Sequence, residues 1–424
     1  MIPNPTNWAG NYTYRAARLH TPQTIEQTQE IVSRSNKLKA LGSRHSFNDI
    51  ADSYEDLISL ENLNQVLELD RERRRVTVEA GIRYGQLGQW LHREGFALHN
   101  LASLPHISVA GACATATHGS GDQNGNLTTA AATLEFITAE GEIVILSRED
   151  QPGQFQRAAV GLGALGIVTK LTLDILPTFD MRQDLYQNLP LSQLENHFDE
   201  LTSSAYSVSL FTDWRSASFN QVWMKRLVSK DDSFEPEPDL FGATLATRPL
   251  HPIEALSAEN CTEQMGIRGP WHERLPHFRM DFTPSSGEEL QSEYFIPRQH
   301  AFAAFRAVDQ ISELIAPLLQ ISEVRTIAAD NLWMSPCYQQ ASVAIHFTWK
   351  MNWPAVSQVL PIIEERLAPF GARPHWGKLF TMQPKHLQSL YPQLPEFQEL
   401  PRYYDPQGKF RNAFLDRYIF GQSI

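Results

Sequence analysis

The chain has 424 residues, of which 42% are hydrophobic and 10% aromatic, a composition that supports two globular domains with large cores. With 36 Lys and Arg residues against 48 Asp and Glu residues, the net charge of −12 excludes nonspecific nucleic-acid binding and disfavours an anionic membrane surface. No run approaches the roughly 18 apolar residues of a membrane span, and no basic segment followed by an apolar one opens the chain, so we expect a cytoplasmic protein.

The first 180 residues predict short α/β units joined by loops of small residues. One helix is predicted to begin at Thr21-Pro22, with Ile25, Thr28 and Val32 on one face, and a second helix to cover Tyr84–Gly95. Alternating apolar and polar residues predict the strands and hairpins of this half, which lie at Lys37–Leu41, Leu57–Leu60, Val66–Asp70 with Arg75–Ala80, Ala132–Thr138 with Ile143–Leu146, and Ile167–Ile175.

Two of the loops are rich in small residues and each contains a histidine. Gly42–Ser46 reads GSRHS and follows a predicted strand, and Ser108–Gly121 reads SVAGACATATHGSG. Backbone N–H groups exposed in such turns form concave sites that bind anions, phosphates above all. The two loops together predict one extended ligand with phosphate groups, held between two backbone surfaces.

A third glycine-rich segment, Gly161–Gly166, matches the pattern G-x-G-x-x-G. That pattern binds a dinucleotide only where it follows a strand and opens a helix. Here it leads directly into the predicted strand Ile167–Ile175, so we exclude a nicotinamide site of the Rossmann type.

After Asp180 the pattern changes to one typical of an antiparallel sheet covered on one face by helices. Ser229–Pro252 is rich in proline and acidic residues and predicts a loop. The strands predicted in this half are Tyr206–Phe211, Gln221–Lys225, Ser292–Ile296, Glu323–Ala328, Ala341–Thr348 and His375–Thr381, and the predicted helices are Arg298–Gln320 and Pro354–Leu367.

Three motifs in the first half resemble the covalent flavoproteins of the vanillyl-alcohol oxidase and p-cresol methylhydroxylase (PCMH) fold. They are G-x-x-H-S at Gly42–Ser46, A-T-x-T-H-G-S-G at Ala114–Gly121 and L-G-A-L-G-I-V-T at Leu162–Thr169. The resemblance covers nearly the whole chain, with the motifs in the expected order.

Four motifs in the second half narrow the resemblance to the sugar-alcohol branch, the alditol (xylitol or sorbitol) oxidases, which are related to the aldonolactone oxidases. They are E-V-R at Glu323–Arg325, H-F-T at His346–Thr348, H-W-G-K at His375–Lys378 and D-P-x-G-K-F-x-N-A-F at Asp405–Phe414.

The resemblance implies that FAD is covalently linked through a ring nitrogen of His45 to the 8α-methyl carbon of the flavin. Many relatives have glycine where this chain has Arg44. Arginine is costly there if the position requires a positive φ, and it adds a cation near the phosphates if the position does not. The other residues that the resemblance places at the cofactor are Gly42, Ser43, Ser46, Ser103, Ser108, Gly111, Thr115, Ala116, Thr117, His118 and Val168.

The resemblance also implies a substrate site formed by Ser103, Glu323, Arg325, Thr348 and Lys378. Arg325 and Lys378 would offset developing negative charge, and the other three would hydrogen-bond polyol hydroxyls. His346 beside them is a candidate base. Residues two apart on a strand share a face, so Glu323 with Arg325, and His346 with Thr348, are expected to project together, with Lys378 reaching them from a third strand.

Each of these residues also has a simpler interpretation. Taken alone, Glu323 and Arg325 are better explained as an ion pair on an exposed strand. His118 is expected to hold its loop by ring hydrogen bonds, and His346 fits a substrate contact and a core hydrogen bond equally well.

No metal site is expected. His272 and His277 lack a third ligand at metal spacing, which predicts packing or solvated histidines. Cys113, Cys261 and Cys337 form neither a zinc pattern nor a disulfide framework, and Cys113 is expected to be a small buried residue.

The sequence thus predicts an α+β, two-domain flavoprotein: a PCMH-type FAD-binding domain at 1–180, completed by 376–424, and a substrate domain of antiparallel sheet and helices at 181–375. The expected reaction oxidises the terminal primary alcohol of an acyclic polyol to the aldehyde and reduces dioxygen to hydrogen peroxide. We expect no partner other than polyol and dioxygen, neither nucleic acid nor membrane, and a monomer. Two alternatives remain: an aldonolactone oxidase or dehydrogenase on the same scaffold, and a polyol-binding protein without redox activity.

Overall fold

A computed structural model of the chain describes residues 5–229, 234–281 and 288–421. The strands of the first half are short. They are β1 (Arg18–His20), β2 (Leu38–Ala40), β3 (Asp56–Ile58), β4 (Val66–Asp70), β5 (Arg75–Glu79), β6 (Phe96–Ala97), β7 (Ala131–Ile137), β8 (Ile143–Ser147), β9 (Ile167–Asp174) and β10 (Leu176–Pro177). The helices of this half are α1 (Ile25–Arg34), α2 (Tyr84–Arg93), α3 (Val109–Ala114) and α4 (Pro152–Ala158).

These strands form two main sheets. β1, β3 and β2 make a parallel sheet in that order, and β4-β5-β9-β7-β8 make an antiparallel sheet of five strands. In β9 every second residue is buried, which is the pattern of a strand with one face on the core. β9 follows Gly166 directly, so the glycine pattern at 161–166 leads into a strand as predicted and opens no helix.

The second half contains one large sheet with helices packed on it. Its strands are β11 (Asp180–Pro190), β12 (Ser207–Thr212), β13 (Ser218–Val228), β14 (Asp239–Leu240), β15 (Ala243–Leu245), β16 (Gly269–Pro270), β17 (Glu289–Pro297), β18 (Leu319–Ile327), β19 (Ser342–Lys350) and β20 (Arg373–Pro374). Its helices are α5 (Leu194–Ser203), α6 (Ala301–Asp309), α7 (Ser312–Ile315), α8 (Trp353–Leu367), α9 (Pro384–Ser389), α10 (Leu394–Phe397), α11 (Glu399–Tyr404) and α12 (Ala413–Tyr418).

The large sheet has ten antiparallel strands in the order β14-β15-β11-β13-β12-β18-β19-β17-β20, with β16 paired to β11. Strand β19, the third from one edge of this sheet, has alternating polar and apolar residues although all of it except Lys350 is buried. Val343, Ile345, Phe347 and Trp349 belong to the hydrophobic core, whereas His346 and Thr348 point to the opposite face. The fold is therefore α+β, as predicted, with a polar stripe buried on one face of the central strands.

Three sequence predictions differ from the structure in extent. The first helix begins at Ile25, because the Thr24 side chain caps it by accepting a hydrogen bond from the Gln27 N–H at 3.2 Å. The segment Ser108–Gly121 contains the short helix α3, which its alanines favour. The segment Ser229–Pro252 carries the β14–β15 hairpin, and 230–233 lie outside the described residues.

Two predictions are wrong in kind. The long helix expected at Arg298–Gln320 is divided into α6 and α7 and then gives way to β18, because Pro317 cannot continue the helix and Leu319 pairs with Trp349. The strand expected at His375–Thr381 is absent beyond β20. There, Lys378 N–H donates to the His375 carbonyl at 3.0 Å and closes a turn.

The C-terminal segment packs against the first half of the chain. The Asn412 side chain donates to the carbonyls of Asp49, Ile50 and Asp52 at 2.9–3.0 Å. Buried Lys39 donates to the carbonyl of Phe410 at 3.1 Å. Within the described ranges, no helix combines the length and apolarity needed to cross a bilayer.

Candidate active site

A cavity of about 970 Å³ is lined by residues of both halves of the chain. It extends from the loop at Gly42–Ser46 to the polar face of β18 and β19. Of the residues predicted for the cofactor and the substrate, all line this cavity except Ala116, which is buried with a φ of 53°. The predicted anion-binding loops and the predicted polyol floor are thus parts of one site.

The two loops of small residues meet at Ser108. A Cβ added to Gly42 or to Gly111 would lie 2.8 Å from Ser108 Oγ, so a side chain at either position would force that hydroxyl to move. The N–H of Ser108 donates to Ser43 Oγ at 3.1 Å. Ser108 Oγ itself is buried and has no hydrogen-bond partner among the described residues. The loops therefore form a closely fitted cradle with an unused hydroxyl, as expected where a ligand completes the contacts.

His45 lies in this cradle as a neutral imidazole. Its ring stacks on Trp8 with centroids 5.5 Å apart, and Nδ1 contacts Ser43 Oγ at 3.1 Å. Nε2 is buried without a partner in the part of the chain that the structure describes. Burial, with a smaller effect of His106, lowers the pKa of His45 to about 4. A neutral ring with an unused nitrogen is the nucleophilic form of histidine.

Arg44, next to His45, has a φ of 63°, in the left-handed region. Side chains other than glycine are disfavoured there. The conditional expectation from the sequence is thus met: the position does require a positive φ, and arginine stores strain in the loop.

Polar side chains of neighbouring strands form one wall of the cavity, called here the polar floor, and strand register determines which of them lie side by side. Glu323 on β18 lies opposite His346 on β19, and His346 lies opposite Glu293 on β17. Directly opposed residues share a face of the sheet, so three polar side chains from three neighbouring strands point into the cavity together. Glu323 and Arg325 are each only 5% exposed, which excludes the interpretation as a surface ion pair.

Glu293 is the centre of the floor, and the sequence analysis missed it. One carboxylate oxygen, Oε1, accepts a hydrogen bond from Arg325 Nη2 at 2.6 Å, and Oε2 accepts one from Lys378 Nζ at 2.7 Å. His118 Nε2 approaches Oε1 to 3.4 Å. A glutamate inside the apolar strand predicted at Ser292–Ile296 was the available signal, since an isolated buried carboxylate needs partners.

The charges of this cluster follow from its contacts. Burial by itself would raise the pKa of Glu293, but Lys378 and Arg325 hold that pKa well below its usual range. Burial lowers the pKa of Lys378, and Glu293 counteracts this shift. Burial would likewise raise the pKa of Glu323, but Arg325 and His277 lower it. Two carboxylates thus remain ionised next to two cations that face the cavity.

His346 is neutral, and each of its ring nitrogens has a hydrogen-bond partner. Burial, then Lys378, keeps the pKa of His346 well below its usual range. Lys378 Nζ donates to Nδ1 at 2.8 Å, which leaves the proton on Nε2, 3.0 Å from Thr348 Oγ1. Neither ring nitrogen has a free lone pair in this arrangement, which argues against His346 as the base.

His277 also belongs to the site, contrary to the interpretation as a packing or solvated residue. It lines the cavity, and its Nε2 lies 2.7 Å from Glu323 Oε1. Burial, then Lys225, lowers the pKa of His277 to about 4. Nothing at the sequence level links His277 to Glu323, because 46 residues separate them and only tertiary packing brings them together.

Comparisons with known proteins agree with this geometry. Residues 16–147 match the FAD binding domain family, and residues 284–418 match the D-arabinono-1,4-lactone oxidase family. The chain is 48% identical over 421 residues to an alditol oxidase from a Streptomyces species, covering 98% of this chain and 99% of that protein. It is 25% identical to L-gulonolactone oxidase from Mus musculus, covering 98% of both chains.

Solved structures show the same fold. Cholesterol oxidase from B. sterolicum superposes with a TM-score of 0.80 at 14% identity, covering 98% of this chain and 96% of that one. Carbohydrate oxidase from Microdochium nivale superposes with a TM-score of 0.76 at 14% identity, covering 97% and 94%.

The cavity fits FAD by its own chemistry. The close cradle at Ser108 suits a pyrophosphate, and His45 offers an unused ring nitrogen. With a match to an FAD-binding domain and a relative at 48% identity over nearly its full length, the chain belongs to the alditol oxidases, a branch of the oxidoreductases with a PCMH-type FAD-binding domain.

Proposed function

We propose that this protein oxidises the terminal primary alcohol of an acyclic polyol, of the xylitol and sorbitol class, to the aldehyde, with dioxygen reduced to hydrogen peroxide. The observation that carries the proposal is the position of Arg325 and Lys378: both cations lie on a polar floor in the same cavity as the cradle of His45. The 48% identity to an alditol oxidase supports the substrate class.

Bound FAD would supply the acceptor for the hydride of the alcohol carbon, which carries both electrons of the oxidation. We propose that a ring nitrogen of His45 carries the cofactor through its 8α-methyl carbon. The neutral state of His45 and its buried, unpartnered Nε2 support this attachment. The cradle around Ser108, with Gly42 and Gly111 on either side, would hold the phosphates.

The residues of the polar floor stabilise charge and orient the substrate. Arg325 and Lys378 stabilise negative charge on the alcohol oxygen as its proton leaves, and Glu293 fixes both cations in place. Glu323, Ser103 and Thr348 hydrogen-bond the other hydroxyls and orient the carbon chain. The proton passes to solvent water in this scheme, because both nitrogens of His346 are already engaged.

A second candidate function is oxidation of an aldonolactone. The match of residues 284–418 to the D-arabinono-1,4-lactone oxidase family favours it. The lactone presents a ring rather than an extended chain of hydroxyls. We favour a polyol over a lactone as the substrate, because the sequence identity to an alditol oxidase is much higher than that to L-gulonolactone oxidase.

We also propose a cytoplasmic monomer. Among the described residues, all three cysteines are free and buried, which suits a reducing compartment. Light scattering of the purified protein tests the oligomeric state.

The visible spectrum of the purified protein is the first test, followed by acid precipitation. Yellow colour retained in the pellet, and lost in His45→Ala, supports the covalent link, whereas colour in the supernatant contradicts it. Peroxide release is then measured with xylitol, sorbitol and an aldonolactone. Turnover of the lactone alone would replace the polyol proposal by the second candidate.

A further inference from the structure

A buried lysine, Lys225, does not line the cavity but contacts His277, which does. Lys225 lies on β13 and is 1% exposed. Its Nζ donates to the carbonyls of Leu275 and Pro276 at 2.6 and 3.0 Å, and it lies 3.0 Å from His277 Nδ1. All three acceptors belong to one short segment, 275–277, that passes under Glu323.

Lys225 determines which atom donates and which accepts in the row of hydrogen bonds that joins Lys225, His277 and Glu323. Nζ has N–H groups to donate, so His277 Nδ1 accepts and the ring proton sits on Nε2. That N–H donates to Glu323 Oε1 at 2.7 Å. Burial lowers the pKa of Lys225 to about 7. The charged amine has one N–H group for each of its three acceptors, and when the amine is neutral the ionised carboxylate of Glu323, which can only accept, keeps the ring proton on Nε2.

The ring of His277 is also fixed by packing. Trp223 and Phe211 contact it edge to face, with centroids 5.2 and 5.6 Å away. The backbone N–H groups of His277 and Phe278 donate to the carbonyl of Ser103 at 3.1 and 3.3 Å. The same segment therefore holds two of the residues proposed to contact the substrate, Ser103 and Glu323.

We propose that His277, oriented by Lys225, is a positioning residue that holds the carboxylate of Glu323 in the rotamer that binds polyol hydroxyls. With Oε1 bound to His277, the other oxygen, Oε2, remains on the side of Arg325, 3.6 Å from its Nε. The inference rests on the proposed function, since it assigns Glu323 to the polyol. It adds two residues that affect substrate binding without touching the reacting carbon.

The test compares two substitutions of His277 in the flavin-loaded enzyme. His277→Phe keeps the ring packing and removes the donor. His277→Gln places an amide N–H near the position of Nε2 and restores the donor. We expect His277→Phe to raise the KM for xylitol or sorbitol about ten- to a hundredfold, with kcat changed less than about threefold, because binding to remote hydroxyls acts on ground and transition states alike. We expect His277→Gln to return KM to within about fivefold of the wild type.

Three controls separate the possible outcomes. Lys225→Met, which keeps the length of the side chain, should raise KM in the same direction. His272→Phe replaces a histidine five positions away that contacts His92 and Trp271 and does not line the cavity, so its KM should stay that of the wild type. Melting temperatures and flavin spectra show which variants fold; if His277→Phe does not, Lys225→Met and His277→Gln decide.

An unchanged KM in folded His277→Phe or Lys225→Met overturns the inference and leaves the proposed function standing. An equal rise of KM in His277→Phe and His277→Gln also overturns it, because a side chain that supplies the donor would then bind the polyol no better than one that lacks it. Absence of alditol oxidation by the wild type contradicts the proposed function, and with it this inference.

Discussion

At the scale of single residues, Lys378 is the most direct test of the chemistry. Its Nζ lies between Glu293 and His346 at the cavity surface, where it can meet the alcohol oxygen. We expect Lys378→Ala to lower kcat by about two powers of ten or more, with flavin still bound, because one stabilising charge is lost. Steady-state kinetics and the flavin spectrum measure this. The exposed Lys385→Ala is the control, and full activity of Lys378→Ala would remove the lysine from the mechanism.

Glu293 should matter for stability as well as for activity. Glu293→Gln leaves Arg325 and Lys378 buried without their shared counter-charge, so we expect a loss of about 3–5 kcal/mol in the free energy of unfolding and a lower kcat/KM. Denaturant titration measures the first quantity. Glu289→Gln on the same strand, where the carboxylate contacts the Gln291 amide, should cost much less. Equal losses in the two variants would contradict the central role of Glu293.

Arg44 offers a test of backbone strain. Because its φ is 63°, Arg44→Gly should raise the free energy of unfolding by about 1 kcal/mol. Arg83→Gly is the matched control: Arg83 also lines the cavity but has an extended φ of −93°, so glycine there should destabilise. If Arg44→Gly instead lost FAD, the guanidinium would be part of the cofactor site.

The residues that were found from the sequence and those that were missed differ in one respect. Glu323 and Arg325 stand in a motif, and their spacing of two puts them on one face of a strand. His277 carries no local pattern, and the one signal for Glu293 is its place within an apolar strand, since each residue acquires its role from partners on other elements.

At the scale of elements, the two loops depend on close approach. Gly42→Ala would place a methyl group 2.8 Å from Ser108 Oγ and displace that hydroxyl within the cradle, so we expect FAD content to fall at least about tenfold. The ratio of flavin to protein absorbance measures this. In Gly153→Ala the new methyl meets nothing within 4 Å, so this variant should retain its flavin. Normal flavin content in Gly42→Ala would show that the cradle can adapt.

Elements with a strong local signal were predicted well. The hairpins β4–β5 and β7–β8 have the expected strands because their alternation persists over several residues. The predictions for Arg298–Gln320 and His375–Thr381 were wrong, because apolar spacing alone cannot show where β18 pairs or where the turn before Lys378 closes. The division into domains at 180 and 376 stays a prediction.

At the scale of the whole molecule, the buried neutral histidines predict the response to acid. Burial lowers the pKa of His277 to about 4 and lowers the pKa values of His118, His346 and His375. In the unfolded chain these rings bind protons near their usual pKa of about 6.5. Unfolding therefore takes up protons between about pH 6.5 and about pH 4, so the contribution of these histidines to stability is full above that window and is lost as the pH is lowered through it.

Below about pH 4.5 the loss should continue, because Glu293 and Glu323 are ionised in the folded protein and protonate more readily when it unfolds. We expect the melting temperature to rise steadily from about pH 4 to about pH 6.5, the window in which these histidines contribute. Calorimetry at constant ionic strength measures the profile. A maximum near pH 5 would show that the histidines are charged in the native state.

The sequence by itself determined the fold class and, through its resemblance to flavoproteins of this fold, the cofactor class and the two sets of residues that line the cavity, because most of these residues stand in short motifs that the resemblance covers. Only the tertiary structure decided that Glu293 joins the two cations, that His346 is engaged on both sides and that Lys225 and His277 support Glu323. The physical reason is that strand register and burial set these contacts and the ionisation states with them. Both depend on which distant segments pack together.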